Sequence, residues 1–207
     1  FHTALFFCLT GLFWGLCAAA ATGFSVQVAH LIGAGNFAGA RKILRQSITA
    51  TLLFGSSLAA IGVFISDSLP GWLGGDEIIR KDSSVYFLIF SLFLPVLQMN
   101  FLASGMLRCS GNMYIPSILN ILMCLLDIIF NFFLIFPKRQ IEIMGLNIDI
   151  YGAGLGVKGA ALRTVLAELV TAGGMMWYLC YRSPILKLSG ERGHFLLRQD
   201  TLRNAVR

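Results

Sequence analysis

The sequence predicts an all-α integral membrane protein, a polytopic bundle of about five transmembrane helices. Three observations carry this reading. Of 207 residues, 57% are hydrophobic and only 13% charged, far more apolar than a soluble domain of this size needs. Whole stretches of about 20 residues are apolar on every face, the length that crosses a hydrocarbon core of ~30 Å, whereas a soluble core needs only amphipathic stripes. The Lys and Arg residues stand at the ends of these runs and form no basic soluble face. The formal net charge of +6 therefore points to a lipid bilayer as partner and away from nucleic acid.

The first apolar run covers Thr3 to Ile32, rich in Ala and Gly, and stops at the turn-forming "GAGN" of Gly33 to Asn36. A second covers Ile43 to Ile65 and ends near Pro70, whose ring cannot continue a helix without losing a hydrogen bond. A third is expected as one continuous span from Ser84 to Leu107, a fourth from Ile115 to Phe136, and a fifth from Val157 to Tyr181. Between the last two, Ile141, Ile143, Leu146, Ile148 and Ile150 alternate with period two around Gly145. That pattern favours a short two-stranded hairpin at the membrane surface over an irregular loop. The chain begins at Phe1 with no initiator Met, already inside an apolar run and without a basic n-region or cleavage site, and reads as a piece of a longer protein.

Orientation follows from the bases. One side holds Arg41, Lys42, Arg45, Arg108, Arg182, Lys187, Arg192, Arg198, Arg203 and Arg207. The other holds Arg80, Lys81, Lys138, Arg139 and Lys158, diluted by Asp67, Asp76, Glu77, Asp82, Glu142 and Asp149. The positive-inside rule puts residue 1 outside and residue 207 in the cytoplasm, and the hairpin outside.

Two carboxylates remain deep within the spans, Asp127 and Glu168. A charge at the helix centre costs about 2.5–3.5 kcal/mol even on the lenient insertion scale, so it faces a bundle interior or an aqueous cavity. Asn120, Asp127 and Asn131 fall within about 40° of one another at ~100° per residue and make one polar stripe. The same arithmetic groups Thr164, Glu168 and Thr171 in the fifth span. Two such stripes face to face would make a polar pocket inside the bundle. Asn and Thr also serve simply as interhelical hydrogen-bonding groups, which is the competing reading for Asn120, Asn131 and Thr171. Arg163 is either the ion partner of Glu168 or snorkels to the outer face. In the third span Gln98, Asn100 and Ser104 are further cavity-lining candidates, with Asn100, Ser104 and Arg108 sharing a face at spacings of four.

Several motifs are excluded. The cysteines Cys8, Cys17, Cys109, Cys124 and Cys180 form no CxxC pair and have no clustered His partners, so they read as small buried apolar residues. His30 reads as interfacial, and "FNFFLIF" as a lipid-facing aromatic belt. No HExxH, GxSxG or Walker glycine loop appears, and no cofactor is expected; the protein does not read as an enzyme.

Three stretches together resemble the multidrug and toxic compound extrusion (MATE) family. "QVAHLIGAGNFAGARKILRQS" is similar to the segment joining that family's second and third helices, "LRCSGNMYIPSILNILMCLLDIIFNFFLIF" to its fourth-to-fifth passage, and "GAGLGVKGAALRTVLAE" to the start of its sixth. The resemblance implies two six-helix lobes that alternate between outward and inward openings. On that reading residues 1–181 supply helices two to six of the N-terminal lobe, residues 182–207 begin the cytoplasmic inter-lobe connector, and a second lobe of the same chain is a partner not contained in this sequence. It further implies a proton- or sodium-coupled efflux antiporter for small cationic or amphipathic molecules in a bacterial cytoplasmic membrane. Asp127 would be the coupling carboxylate, helped by Asn120, Thr164 and Glu168, with a sodium site at Asp127, Asn120 and Thr164. Met123 departs from the family's asparagine one turn before the aspartate, and a thioether is a poor partner for a hard cation. Both coupling ions therefore stay open. The alternatives are a lipid-linked oligosaccharide flippase on a related scaffold and a non-transporting membrane subunit or channel.

Overall fold

In a computed structural model of the chain, the backbone is described for residues 2–68, 77–135, 137–143 and 146–188, with side chains for 11–68, 82–135 and 153–188. Six helices and one hairpin follow in order: α1 (His2–Gly33), α2 (Phe37–Ser66), α3 (Glu77–Leu92), α4 (Leu94–Cys109), α5 (Tyr114–Leu134), β1 (Pro137–Ile143), β2 (Leu146–Ala153) and α6 (Gly156–Tyr181). The expectation of a helical membrane bundle with a short hairpin is met. Pro70, Gly145 and the bases Arg192, Arg198, Arg203 and Arg207 lie outside the described residues.

The α1–α2 turn is built by its own residues. Gly35 takes a φ of +74°, which needs no Cβ to be comfortable, and the Asn36 side chain accepts a hydrogen bond from the Gly39 N–H at 2.9 Å to cap α2. This cap starts the second helix at Phe37, six residues before the expected Ile43.

The third expected span is not continuous. It is the pair α3 and α4, bent by 47° at Phe93. Pro95 causes the break: it offers no N–H, and its ring collides with the carbonyl four residues earlier, so helix hydrogen bonding cannot run through. Three helices (α1 from Gly11, α2 and α5) are long and apolar enough to cross a membrane, and the bent pair makes a fourth span. The fifth expected span, α6, is 26 residues and about 39 Å long at 1.5 Å per residue. It is less apolar because it carries Lys158, Arg163 and Glu168.

α4 sits at the centre, against α1, α2 and α6. The core on its C-terminal half joins Val28, Leu44, Met106, Leu107, Met175 and Leu179, and is closed by Leu186 from the segment after α6. Arg41 also donates to the Ile185 carbonyl at 3.2 Å, tying that segment to the α1–α2 turn. Small residues set the closest approaches: a Cβ on Gly62 of α2 would run into Ser91 of α3, and one on Gly105 of α4 into Ser25 of α1. α5 is peripheral. Only Pro116 along it is buried, and Ile121, Leu125, Ile128, Ile129 and Phe133 are exposed, an apolar face suited to lipid tails. α5 packs chiefly against α6 and touches α4 little.

Candidate functional site

The hairpin fixes how α5 meets α6. β1 and β2 pair antiparallel with Ile141 opposite Ile148 and Ile143 opposite Leu146, and the Leu155 N–H donates to the Leu134 carbonyl at 3.0 Å to close the neck of the excursion. Gly159 lies so close to Leu134 that a Cβ there would come within 2.5 Å of its carbonyl oxygen. From this neck the two helices run side by side in opposite directions. At 1.5 Å per residue, Arg163 lies about 6 Å along α6, Asp127 about 10 Å along α5, and Glu168 about 13 Å along α6. Arg163 is long enough to bridge that difference, and its Nη1 donates to Asp127 Oδ2 in an ion pair. The pair is single-pronged: Asp127 Oδ1 and Arg163 Nε are buried with no partner. Arg163 is an ion partner, but of Asp127 on α5 and not of Glu168 on its own helix.

Glu168 has different company. Its Oε2 accepts from Asn100 Nδ2 on α4, and Met123 Sδ on α5 lies 4.0 Å from the same amide nitrogen. Glu168 borders two spaces. The larger is a cavity of about 540 Å³ between α1, α4, α5 and α6, whose wall includes Trp14, Asn100, Phe101, Ser104, Arg108, Asn120, Met123 and Cys124. Trp14 and Phe101 meet there edge to face, with centroids 5.2 Å apart. The smaller is a crevice of about 20 Å³ under α3, bordered by Tyr86, Phe90, Phe93, Leu97 and Thr164, with room for about one water.

The candidate residues therefore divide. Glu168, Asn120, Asn100 and Ser104 line the large cavity, and Thr164 lines the crevice. Asp127 lines neither space. Three expected wall residues are elsewhere. Gln98 stands about 200° around α4 from Asn100; it faces α2 near Gly55, fully buried, with both amide atoms unpaired. Thr171 is fully buried and donates to the Ala167 carbonyl of its own helix at 2.8 Å, so its polarity is spent locally. Asn131 lies toward the neck, one turn before Leu134, and borders neither space.

The implied sodium set is not gathered into one shell either. Asn120 and Asp127 are separated by about 10 Å along one helix, whereas a hard cation holds its oxygens at roughly 2–2.6 Å. Among the described residues no three His, Cys, Asp or Glu side chains cluster as a metal site. Trp14 was not foreseen as a wall residue, because α1 is apolar on every face and carries no stripe to orient it. His30 is exposed near the end of α1, where an interfacial residue belongs.

This bundle and its cavity have counterparts. A family model described as MatE matches residues 3–133, more than half of the chain. The chain belongs to the MatE family. Its curated relatives include "Probable multidrug resistance protein NorM" of Thermotoga maritima, 29% identical over 79% of this chain and 33% of that protein. Another is the "FAD transporter" of Shewanella oneidensis, 27% identical over 59% of this chain and 28% of that one. Among solved structures, an outward-facing multidrug resistance MATE family transporter superposes with a TM-score of 0.81 at 22% identity, over 99% of this chain and 42% of the other. An inward-facing one superposes at 0.76 with 21% identity, over 96% and 41%. The MatE chain described here thus spans about a third of the length of those curated relatives. It has the MATE transporter fold of a multi-pass membrane protein.

Proposed function

We propose that this MatE chain is the ion-coupled half of an exporter that moves small cationic or amphipathic molecules out of the cytoplasm by alternating access. The observation that carries the reading is a carboxylate, Glu168, with no basic partner among the described residues, on the wall of a cavity of about 540 Å³ inside the bundle. That volume suits a drug-sized molecule. Trp14, Phe101 and Met123 offer apolar and aromatic surface for a variable cargo, and Glu168 is the one acid on a described wall whose one base is Arg108. A proton or sodium ion entering from outside and a cargo entering from inside would each favour one arrangement of the helices, and their exchange would turn the cycle. Asp127, Asn120, Thr164 and Glu168 supply the polar groups for the ion. The second lobe would come from the rest of the chain, residues 182–207 would lead toward it, and the cytoplasmic membrane of a bacterium is the setting, with residue 1 outside.

The acid disfavours phosphate-bearing cargo, which argues against a lipid-pyrophosphate flippase and against the flavin dinucleotide named for the Shewanella relative. The test is export of a cationic dye from liposomes carrying the full-length protein, with an imposed proton or sodium gradient. Gradient-driven export is expected. Flux that ignores the gradient would mark a channel, and no flux a scaffold; either outcome ends the reading.

A further inference from the structure

Two carboxylates, Asp127 and Glu168, and two guanidinium groups, Arg108 and Arg163, are set among the helices α4, α5 and α6. Arg163 reaches Asp127 and cancels its charge. Among the described residues Glu168 receives only the neutral amide of Asn100, on one oxygen. With Arg163 on Asp127, and Arg108 about 12 Å along α4 from Asn100, Glu168 is the acid of the two that has no ion pair among the described residues. Inside a membrane an uncompensated charge costs about 2.5–3.5 kcal/mol or more, so this group has to be balanced by something exchangeable.

We propose that Glu168, and not Asp127, carries the exchangeable proton of this lobe, and that Arg163 acts as a tethered cation that fixes Asp127 to α6. The inference rests on the transport reading for its use but not for its chemistry. A proton needs a single oxygen, whereas sodium needs a shell of them. Among the described residues the hydrogen-bonding partner of Glu168 is the Asn100 amide, with the Met123 thioether 4.0 Å from that nitrogen, and these make no such shell.

The other titratable groups bordering the two spaces do not compete for the role. On α3 there is Tyr86; on α4 there are Arg108 and Cys109; on α5 there is Cys124, with Asp127 beyond the wall; α1 contributes none to the cavity. Arg108 is the one cation among them, and it lies eight residues past Asn100, about 12 Å along α4. Asp127 is paired with Arg163 and lines neither space. Glu168 alone is an acid open to both the cavity and the crevice.

The step balances simply. The carboxylate takes one proton from the outer side and becomes a neutral acid. It later releases that proton inward and, as an anion again, is available to a cationic cargo. One group holding either proton or cargo, never both, makes the exchange obligatory.

The test uses the full-length protein and two readouts. Difference infrared spectroscopy across a pH titration reports a protonated-carboxyl band with or without transport. A band lost in Glu168→Gln and kept in Asp127→Asn supports the proposal; a band lost in Asp127→Asn, or no titrating band at all, overturns it. Glu168→Asp keeps an acid and shifts the band without removing it, which answers the question if the amide variant does not fold. In liposomes, Glu168→Gln is expected to lower proton-driven dye export by about tenfold, within the usual range of site-to-site coupling. Wild-type protein that shows the Glu168 band but no gradient-driven export would end the transport reading and leave the proton assignment standing.

Discussion

Arg163 on α6 donates to Asp127 on α5, and the two charges cancel within the bundle. The chemistry open to the cavity follows from this pairing, because it removes the aspartate from the set of free acids and leaves Glu168 alone in that set. The side chains keep 27% and 33% of their surface open, so the pair that links α5 to α6 is only partly withdrawn from its surroundings.

Breaking that link from one side should cost more than removing it altogether. Arg163→Ala leaves the Asp127 charge uncompensated and is expected to destabilise the detergent-solubilised full-length protein by about 2 kcal/mol, below the ~3–5 of fully buried pairs because both groups are partly open. Arg163→Met combined with Asp127→Asn should recover more than half of the loss. Thermal unfolding of the single and double variants measures this as a double-mutant cycle. A loss in the double variant equal to the sum of the two single losses would show that the pair is not coupled.

The bend between α3 and α4 is expected to depend on Pro95. In Pro95→Ala the missing N–H returns and the clash with the preceding turn is relieved, so the two helices should straighten from 47° toward a single span. Spin labels at the far ends of α3 and α4 would report a longer separation. An unchanged distance would assign the bend to packing against α2 instead.

Gly62→Ala should push α2 away from α3, because the added methyl collides with Ser91 Cβ and Oγ. Overpacking of this kind costs about 1–3 kcal/mol. Ser91 Oγ is buried and makes no hydrogen bond, so trimming it loses no bond. Ser91→Gly in the Gly62→Ala background is therefore expected to recover much of the lost thermal stability, and failure to do so would place the strain elsewhere.

Cys124 is exposed and stands on the wall of the large cavity. A small maleimide should label it in the full-length protein, and a bound cationic dye should slow that labelling several-fold, with Cys109, also on the wall, as a second reporter. Labelling indifferent to saturating dye would show that cargo does not occupy this cavity.

Much of the architecture was legible in the chain. Apolar runs longer than a bilayer is thick, ended by Gly33, by charged pairs and by period-two alternation after Phe136, gave the helices and the hairpin. These signals are local, carried by backbone hydrogen-bonding needs and by the length of hydrocarbon to be crossed. The one misread element, the continuous third span, had its signal in plain view at Pro95; hydropathy alone is blind to a missing N–H.

The site was legible in kind but not in arrangement. Helical periodicity picked Asp127 and Glu168 as the acids of interest, because a charge in an apolar run must turn inward. It could not say which of them Arg163 would neutralise, since residues 36 apart in sequence meet only through the hairpin neck that sets α6 against α5. Nor could it tell that Gln98 looks toward α2 while Asn100 looks toward Glu168, because facing is a property of neighbours and not of the helix that carries the residue. The sequence by itself determined that acids would be buried in a membrane bundle. Tertiary packing alone decided which one keeps an unbalanced charge, because pairing depends on distances in space that no single helix contains.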